Sequence, residues 1–236
     1  PQLHIGGYFD QEDINGPQLM YHHMEQKDSF SRNHIVLGPW FHGQWMRARA
    51  DSLGKIAFES NTAAYFQELQ KKWFDYWLKD IGDGKFDEAY SFQTGSNQWK
   101  TYNAWPPKQA IPKKLYTHAN HTCSFTKPVA ANTFVSYISD PAKPVPYREL
   151  PIEATYGTGS RWRTWHTNDQ RFAYTRPDVV SFTLDTLTED LTVTGKIIAH
   201  VFASTTGTDA DWIVKLIDVY PDYDKKSLGM SGCQFP

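Results

Sequence analysis

The hydrophobic period of this chain changes near residue 113, and that change constrains the fold more than any other feature. Before it, short strand-like runs (Leu3-His4-Ile5 and His34-Ile35-Val36-Leu37) alternate with stretches at helical spacing, about Pro17–Met24 and about Thr62–Lys79. In the longer stretch Tyr65, Phe66, Leu69, Trp73, Tyr76 and Trp77 make one broad aromatic face of the kind that covers a sheet. Gly82-Asp83-Gly84 is expected to end that helix, and Gly95-Ser96-Asn97 and Trp105-Pro106-Pro107 to punctuate a connection. Strand, helix, strand in this order is a β–α–β unit of a parallel sheet. After residue 113 the period falls to two, in Lys114–Thr117, Thr133–Ile138, Val179–Leu184, Leu191–Phe202 and Trp212–Val219. Apolar residues crowd in Lys196–Phe202 and Trp212–Ile217 as they do in strands packed against a second sheet. The expected fold class is α/β plus all-β. Residues 1–112 form the α/β unit, and residues 113–236 an antiparallel β-sandwich, a jelly roll.

Charge and cysteine content exclude several functions. The 24 Lys and Arg nearly balance the 26 Asp and Glu, with no basic stripe to neutralise phosphates, so nucleic acid is not an expected partner. No apolar run approaches the roughly 20 residues that span a bilayer, so no membrane partner is expected either. Cys123 and Cys233 lie far apart and lack metal-ligand spacing, which leaves them as free thiols. The chain opens on Pro1-Gln2-Leu3-His4-Ile5-Gly6-Gly7, a strand running into a turn, and closes on Gly232-Cys233-Gln234-Phe235-Pro236; both ends read as cut from a longer protein.

Two residues carry the chemistry. Asp10 follows the first strand and the pair Gly6-Gly7; His42 follows the second strand and the turn Gly38-Pro39. One crossover helix between parallel strands brings both loops to the same sheet edge, where a carboxylate can hold one imidazole nitrogen while the other faces a nucleophile. That is the order of acid and base in a Ser-Asp-His triad of the α/β-hydrolase type. Each residue also has a plain reading, Asp10 as an Asx-turn or helix cap and His42 as a structural histidine. Glu12 and Asp13 read as first-turn charges favouring the following helix, with fixing of the acid loop as the alternative. Trp40 and Phe41 are candidates to line an acyl pocket beside His42, and core packing suits them equally.

The stretches Gly7-Tyr8-Phe9-Asp10-Gln11-Glu12-Asp13 and Leu37-Gly38-Pro39-Trp40-Phe41-His42-Gly43 resemble the acid and histidine motifs of the CocE/NonD hydrolase family. The Asp-Gln-Glu-Asp continuation is most similar to the α-amino acid ester hydrolases, the glutaryl-7-aminocephalosporanic acid acylase type. The resemblance continues through Tyr65–Lys79, Trp99 and Trp105-Pro106-Pro107. In the second half it takes in Asp169-Gln170-Arg171, Arg176-Pro177-Asp178 and Asp209-Ala210-Asp211-Trp212. It implies that residues 1–112 are the C-terminal piece of an α/β-hydrolase catalytic domain, followed by the family's jelly-roll domain. The implied activity is serine hydrolysis or acyl transfer on small-molecule acyl esters or amides, with Asp10 orienting the imidazole and His42 as general base. It further implies no cofactor, self-association into a homo-oligomer and a periplasmic or secreted location.

The family's serine lies in a Gly-x-Ser-Tyr-x-Gly elbow before the acid, and residues 1–236 contain no Gly-x-Ser-x-Gly at all. Gly157-Thr158-Gly159-Ser160 and Gly229-Met230-Ser231-Gly232 have the wrong spacing. The expected partner is therefore an N-terminal catalytic segment that bears the serine. Two other readings stay open: an X-prolyl dipeptidyl-peptidase or carboxylesterase of the same fold, and a non-catalytic jelly-roll binding fragment using Trp162, Trp165 and Trp212. A metal site is not expected. The neighbours His22 and His23 point about 100° apart on a helix, and His118 and His121 near Cys123 read as loop histidines.

Overall fold

The computed structural model of this chain describes residues 1–47, 49–130 and 133–220. Its first half is organised around a four-stranded sheet. In chain order the elements are β1 (Gln2–Gly7), α1 (Gly16–Glu25), β2 (Asn33–Gly38), β3 (Ser52–Leu53), β4 (Ile56–Ala57), α2 (Thr62–Lys79), β5 (Ala89–Gln93) and β6 (Gln98–Tyr102). The strand order is β1-β2-β5-β6, with β1, β2 and β5 parallel and β6 antiparallel to β5; β3 and β4 pair as a separate small hairpin. The register runs from Gln2 opposite Asn33 to Gly7 opposite Gly38, so β1 and β2 end level. All six residues of β2 are buried, which is why its apolar residues Ile35-Val36-Leu37 follow one another without alternation.

Local signals account for the helices. Pro17 stands in the first turn of α1, where its missing N–H costs nothing, and Tyr21 is the residue this helix buries. Asn61 caps α2 by accepting the Ala64 N–H at 3.2 Å. Phe66, Leu69 and Trp73 turn inward from α2 at helical spacing and join Val36, Trp40 and Tyr90, or ring partners of that layer, beneath the sheet. Burying each such side chain contributes roughly 1.5–3 kcal/mol. The expected helical face is narrower than six residues, for Tyr65 lies at the surface, stacked on Trp99 at 4.4 Å. The helix ends at Asp80, which takes a left-handed conformation (φ 54°), ahead of the expected stop at Gly82-Asp83-Gly84. The connection expected at Gly95-Ser96-Asn97 is the turn of the β5–β6 hairpin.

The second half holds a three-stranded sheet of β7 (Tyr116–Thr117), β8 (Thr122–Ser124) and β9 (Thr183–Leu184), with a 3₁₀ turn over Trp162–Thr167 and a short α3 (Arg171–Tyr174). The expected strands Lys114–Thr117 and Val179–Leu184 survive only as β7 and β9. Thr133–Ile138, Leu191–Phe202 and Trp212–Val219 form no ladder among the described residues, which show of the expected sandwich only this three-stranded sheet. Strand conformation is held by ladder partners and a facing sheet, and Ile198 and Phe202 are 75% and 99% exposed. Cys233 and the Gly229–Gly232 stretch lie outside the described residues. No described helix is long and apolar enough to cross a membrane.

Candidate active site

Asp10 and His42 meet at the carboxyl ends of β1 and β2. The parallel pairing continues past the strands: the Tyr8 N–H donates to the Gly38 carbonyl at 2.9 Å and the Phe9 N–H to the Trp40 carbonyl at 3.1 Å. Only glycine allows this closeness at residue 7, where a Cβ would fall 2.2 Å from the Trp40 carbonyl oxygen. Tyr8 anchors the start of the acid loop, its hydroxyl bonded to the Ser91 hydroxyl at 2.5 Å, and burial pushes its pKa up to about 12.

The Asp10 side chain is 1% exposed. Its Oδ1 accepts the backbone N–H groups of Glu12 at 2.8 Å and Asp13 at 2.9 Å, an Asx-turn that fixes the carboxylate. The His42 Nδ1 lies 3.2 Å from Oδ2 and 3.3 Å from Oδ1 of this group. His42 itself is 39% exposed. Glu12 and Asp13 precede α1 and are not in its first turn, which contains no acid. The helix-charge reading is corrected: their amides hold the acid loop, and their carboxylates face the imidazole, Glu12 Oε2 at 3.9 Å from Nε2 and Asp13 Oδ2 at 3.6 Å from Nδ1. Both readings of Asp10, Asx-turn and partner of His42, thus describe one arrangement.

Asp10, Asp13 and His42 also offer ligand atoms within 4.8 Å of one another. With one Asp10 oxygen committed to two amides, this donor set suits a hydrogen-bonded acid–base pair. His22 and His23 lie on the surface of α1, away from this cluster. His118 bonds the Ser124 hydroxyl at 2.8 Å and His121 the Ser181 carbonyl at 3.2 Å, so both serve the small sheet. Cys123 is a free thiol whose partial burial raises its pKa, which makes it a poor nucleophile.

Trp40 does not line a pocket. It is fully buried, its indole N–H donates to the Thr62 hydroxyl at 2.8 Å, and Trp45, Phe66 and Trp99 surround its ring. Phe41 is likewise buried, packed with Leu53, Phe58 and Phe92. Both expectations of substrate contact are corrected to core packing: the turn that presents His42 directs its neighbours inward. Gln44 shapes that turn, accepting the Phe41 N–H at 3.1 Å and donating to the Ser52 carbonyl at 3.0 Å. Its place as a polar residue between Gly43 and the apolar pair Trp45-Met46 is the sequence signal that could have singled it out.

Sequence reasoning did not connect the second half to this site, yet the structure does. The Trp162 ring stands 6.4 Å from the His42 ring, and the Arg163 guanidinium lies over Phe41 at 5.3 Å. His166 is held below its ordinary pKa by desolvation, with the Asp10 carboxylate pulling in the opposite direction. Trp212 lies elsewhere, edge-on to Tyr137.

Residues 75–232 match the family described as the X-Pro dipeptidyl-peptidase C-terminal non-catalytic domain. Cocaine esterase from Rhodococcus sp. (strain MB1 Bresler) is 29% identical over 202 residues, 80% of this chain and 33% of the esterase. Among solved structures, an α-amino acid ester hydrolase superposes with a TM-score of 0.74 at 35% identity, over 80% of this chain and 32% of that one. An aminopeptidase from a marine-sediment Thaumarchaeota archaeon gives 0.72 at 40% identity, over 76% and 29%. The chain spans about a third of the length of these relatives.

Proposed function

We propose, from the premise that the chain belongs to the family of the X-Pro dipeptidyl-peptidase C-terminal non-catalytic domain, that it contributes the acid and base of a serine hydrolase. The nucleophile is supplied by a segment outside these residues. The observation that carries the reading is the His42 Nδ1 at 3.2 Å from a buried Asp10 carboxylate that two backbone amides immobilise. Such a carboxylate keeps Nδ1 protonated, so Nε2 is the free base. Nε2 takes the serine proton as the hydroxyl attacks an acyl carbonyl, then returns it to the departing alcohol or amine. Water, or an acceptor amine, resolves the acyl-enzyme with His42 again as base. No step calls on a cofactor.

The substrate class we favour is a small acyl ester or amide with an α-amino group. The exposed carboxylates of Glu12 and Asp13 flank His42 and make its surroundings attractive to an ammonium group. An X-Pro peptide with a free amino terminus carries the same ammonium and is the second reading. On the same resemblance we read residues 113–236 as part of a jelly roll whose strands pair in the complete protein, the first 112 residues being the tail of the catalytic domain.

The test joins these residues to the serine-bearing segment and treats the protein with a fluorophosphonate probe. Wild type should label on one serine and hydrolyse α-amino esters, and His42→Ala should abolish both. Wild-type turnover by His42→Ala would sink the assignment.

A further inference from the structure

The Nδ1 of His42 has two carboxylates to choose between. Asp10 Oδ2 lies 3.2 Å from Nδ1 and Asp13 Oδ2 3.6 Å, yet only Asp10 is fixed and buried, whereas the Asp13 side chain is 65% exposed. A histidine 39% exposed is free to rotate toward the solvent-facing acid unless something covers its other side. The residue beside it is Trp162, with ring centroids 6.4 Å apart and planes inclined by 59°.

Trp162 arrives from the far half of the chain and is pinned there. On one side of it, the Arg161 Nε donates to Glu153 Oε1 at 2.9 Å; the second Glu153 oxygen accepts from Arg148 Nη2 at 3.1 Å. Arg148 is 3% exposed, and its guanidinium sits 4.5 Å over the Trp165 ring. On the other side Arg163 lies over Phe41, the residue before His42. Tyr156 backs the Trp162 ring at 5.4 Å. Farther along the same turn, Thr167 and Thr164 pack against the β3–β4 hairpin, where a Cβ on Gly54 would come within 2.9 Å of the Thr167 hydroxyl. A buried guanidinium bonded to a shared carboxylate is costly to break, so the 3₁₀ turn cannot swing freely.

We propose that Trp162 is a positioning residue for the base: held by the Arg148–Glu153–Arg161 network, it keeps the His42 imidazole turned to Asp10 and away from Asp13. A region of the kind described as non-catalytic thereby sets the geometry of the acid–base pair. The inference rests on the serine-hydrolase reading above, and its test separates the two. In the complete protein, the second-order rate of fluorophosphonate labelling reports activation of the serine and involves no substrate ammonium. Trp162→Ala and Trp162→Leu should each slow labelling by about one to two orders of magnitude, since small misplacements of a catalytic group have effects of that size. Trp162→Phe should stay near wild type. Asp13→Asn introduced into the Trp162→Ala protein should recover most of the lost rate, because it removes the negative charge that competes with Asp10 for the imidazole; damage to packing alone would not be recovered.

If Trp162→Ala does not fold, Trp162→Leu with and without Asp13→Asn carries the same decision. Wild-type labelling by the Leu variant, or slow labelling that Asp13→Asn leaves unchanged, overturns the proposal while the hydrolase reading stands. Labelling that survives His42→Ala overturns both.

Discussion

The Asp10 carboxylate does two tasks at once. Oδ1 closes the loop by accepting the Glu12 and Asp13 amides, while the imidazole Nδ1 lies 3.2 Å from Oδ2 and 3.3 Å from Oδ1. Asp10→Asn therefore keeps the loop, because the amide oxygen can still accept both N–H groups, but turns a donor toward Nδ1. The imidazole must then accept at Nδ1 and carry its proton on Nε2, which removes the base. kcat of the complete enzyme should fall by roughly three to four orders of magnitude with a near-native melting temperature. A loss of ten-fold or less would show that Asp10 does not set the tautomer. Asp10 and His42 stand out in the sequence because the stretches around them resemble the acid and histidine motifs of a known hydrolase family; their place in loops just after strands is by itself a weak signal. Trp40 and Phe41 could not be sorted, since adjacency to His42 says nothing of which way a turn directs each side chain. Trp162 was invisible as a partner of His42, for a contact between residues so distant in sequence has no local signature.

At the scale of elements, α2 separates packing from surface chemistry. Phe66 is 1% exposed among Val36, Trp40 and Tyr90, while Phe74 on the same helix is 47% exposed. Phe66→Ala should cost about 3–5 kcal/mol in urea unfolding and Phe74→Ala about 0.5 kcal/mol or less. Equal losses would contradict this packing. The end of the helix offers the opposite sign. Asp80 sits at φ 54°, where a Cβ is strained, and places a negative charge at the end that already carries the negative pole of the helix dipole. Asp80→Gly should stabilise by about 0.5–1 kcal/mol, read as a shift of the same unfolding midpoint. The helices and the buried strand β2 were legible because their periodicity is long or their apolar run unbroken. The β5–β6 hairpin is not legible in the sequence: Ala89-Tyr90-Ser91-Phe92-Gln93 alternates over only five residues, and the turn residues Gly95-Ser96-Asn97 read as a connection.

At the scale of the whole molecule, local pattern stops being sufficient. Leu191–Phe202 and Trp212–Val219 alternate as strands do, but a strand exists by virtue of what pairs with it, and sequence alternation cannot supply the partner. The parallel sheet, by contrast, is closed over short distances, and its end opposite the active site carries a polar cluster that ties folding to pH. There Asn33 donates to the Tyr21 carbonyl at 3.1 Å and to Glu25 Oε2 at 2.9 Å, and Tyr21 donates its hydroxyl to Glu88. Burial and then the neighbouring Glu25 carboxylate raise the Glu88 pKa, outweighing the Tyr21 hydrogen bond that lowers it. An acid whose folded pKa is raised binds its proton more tightly in the native state. Its contribution is therefore most favourable below the unfolded value near 4.5 and is lost as pH rises through the folded pKa. Glu88→Gln imitates the protonated side chain at every pH, still accepting from Tyr21 and now able to donate to Glu25. The variant should melt higher than wild type at pH 7.5, and the difference should shrink steadily as pH is lowered to 4. A difference that is constant across this range, or that grows on acidification, would mean that the fold does not favour the protonated carboxyl and that the sheet end is indifferent to its charge.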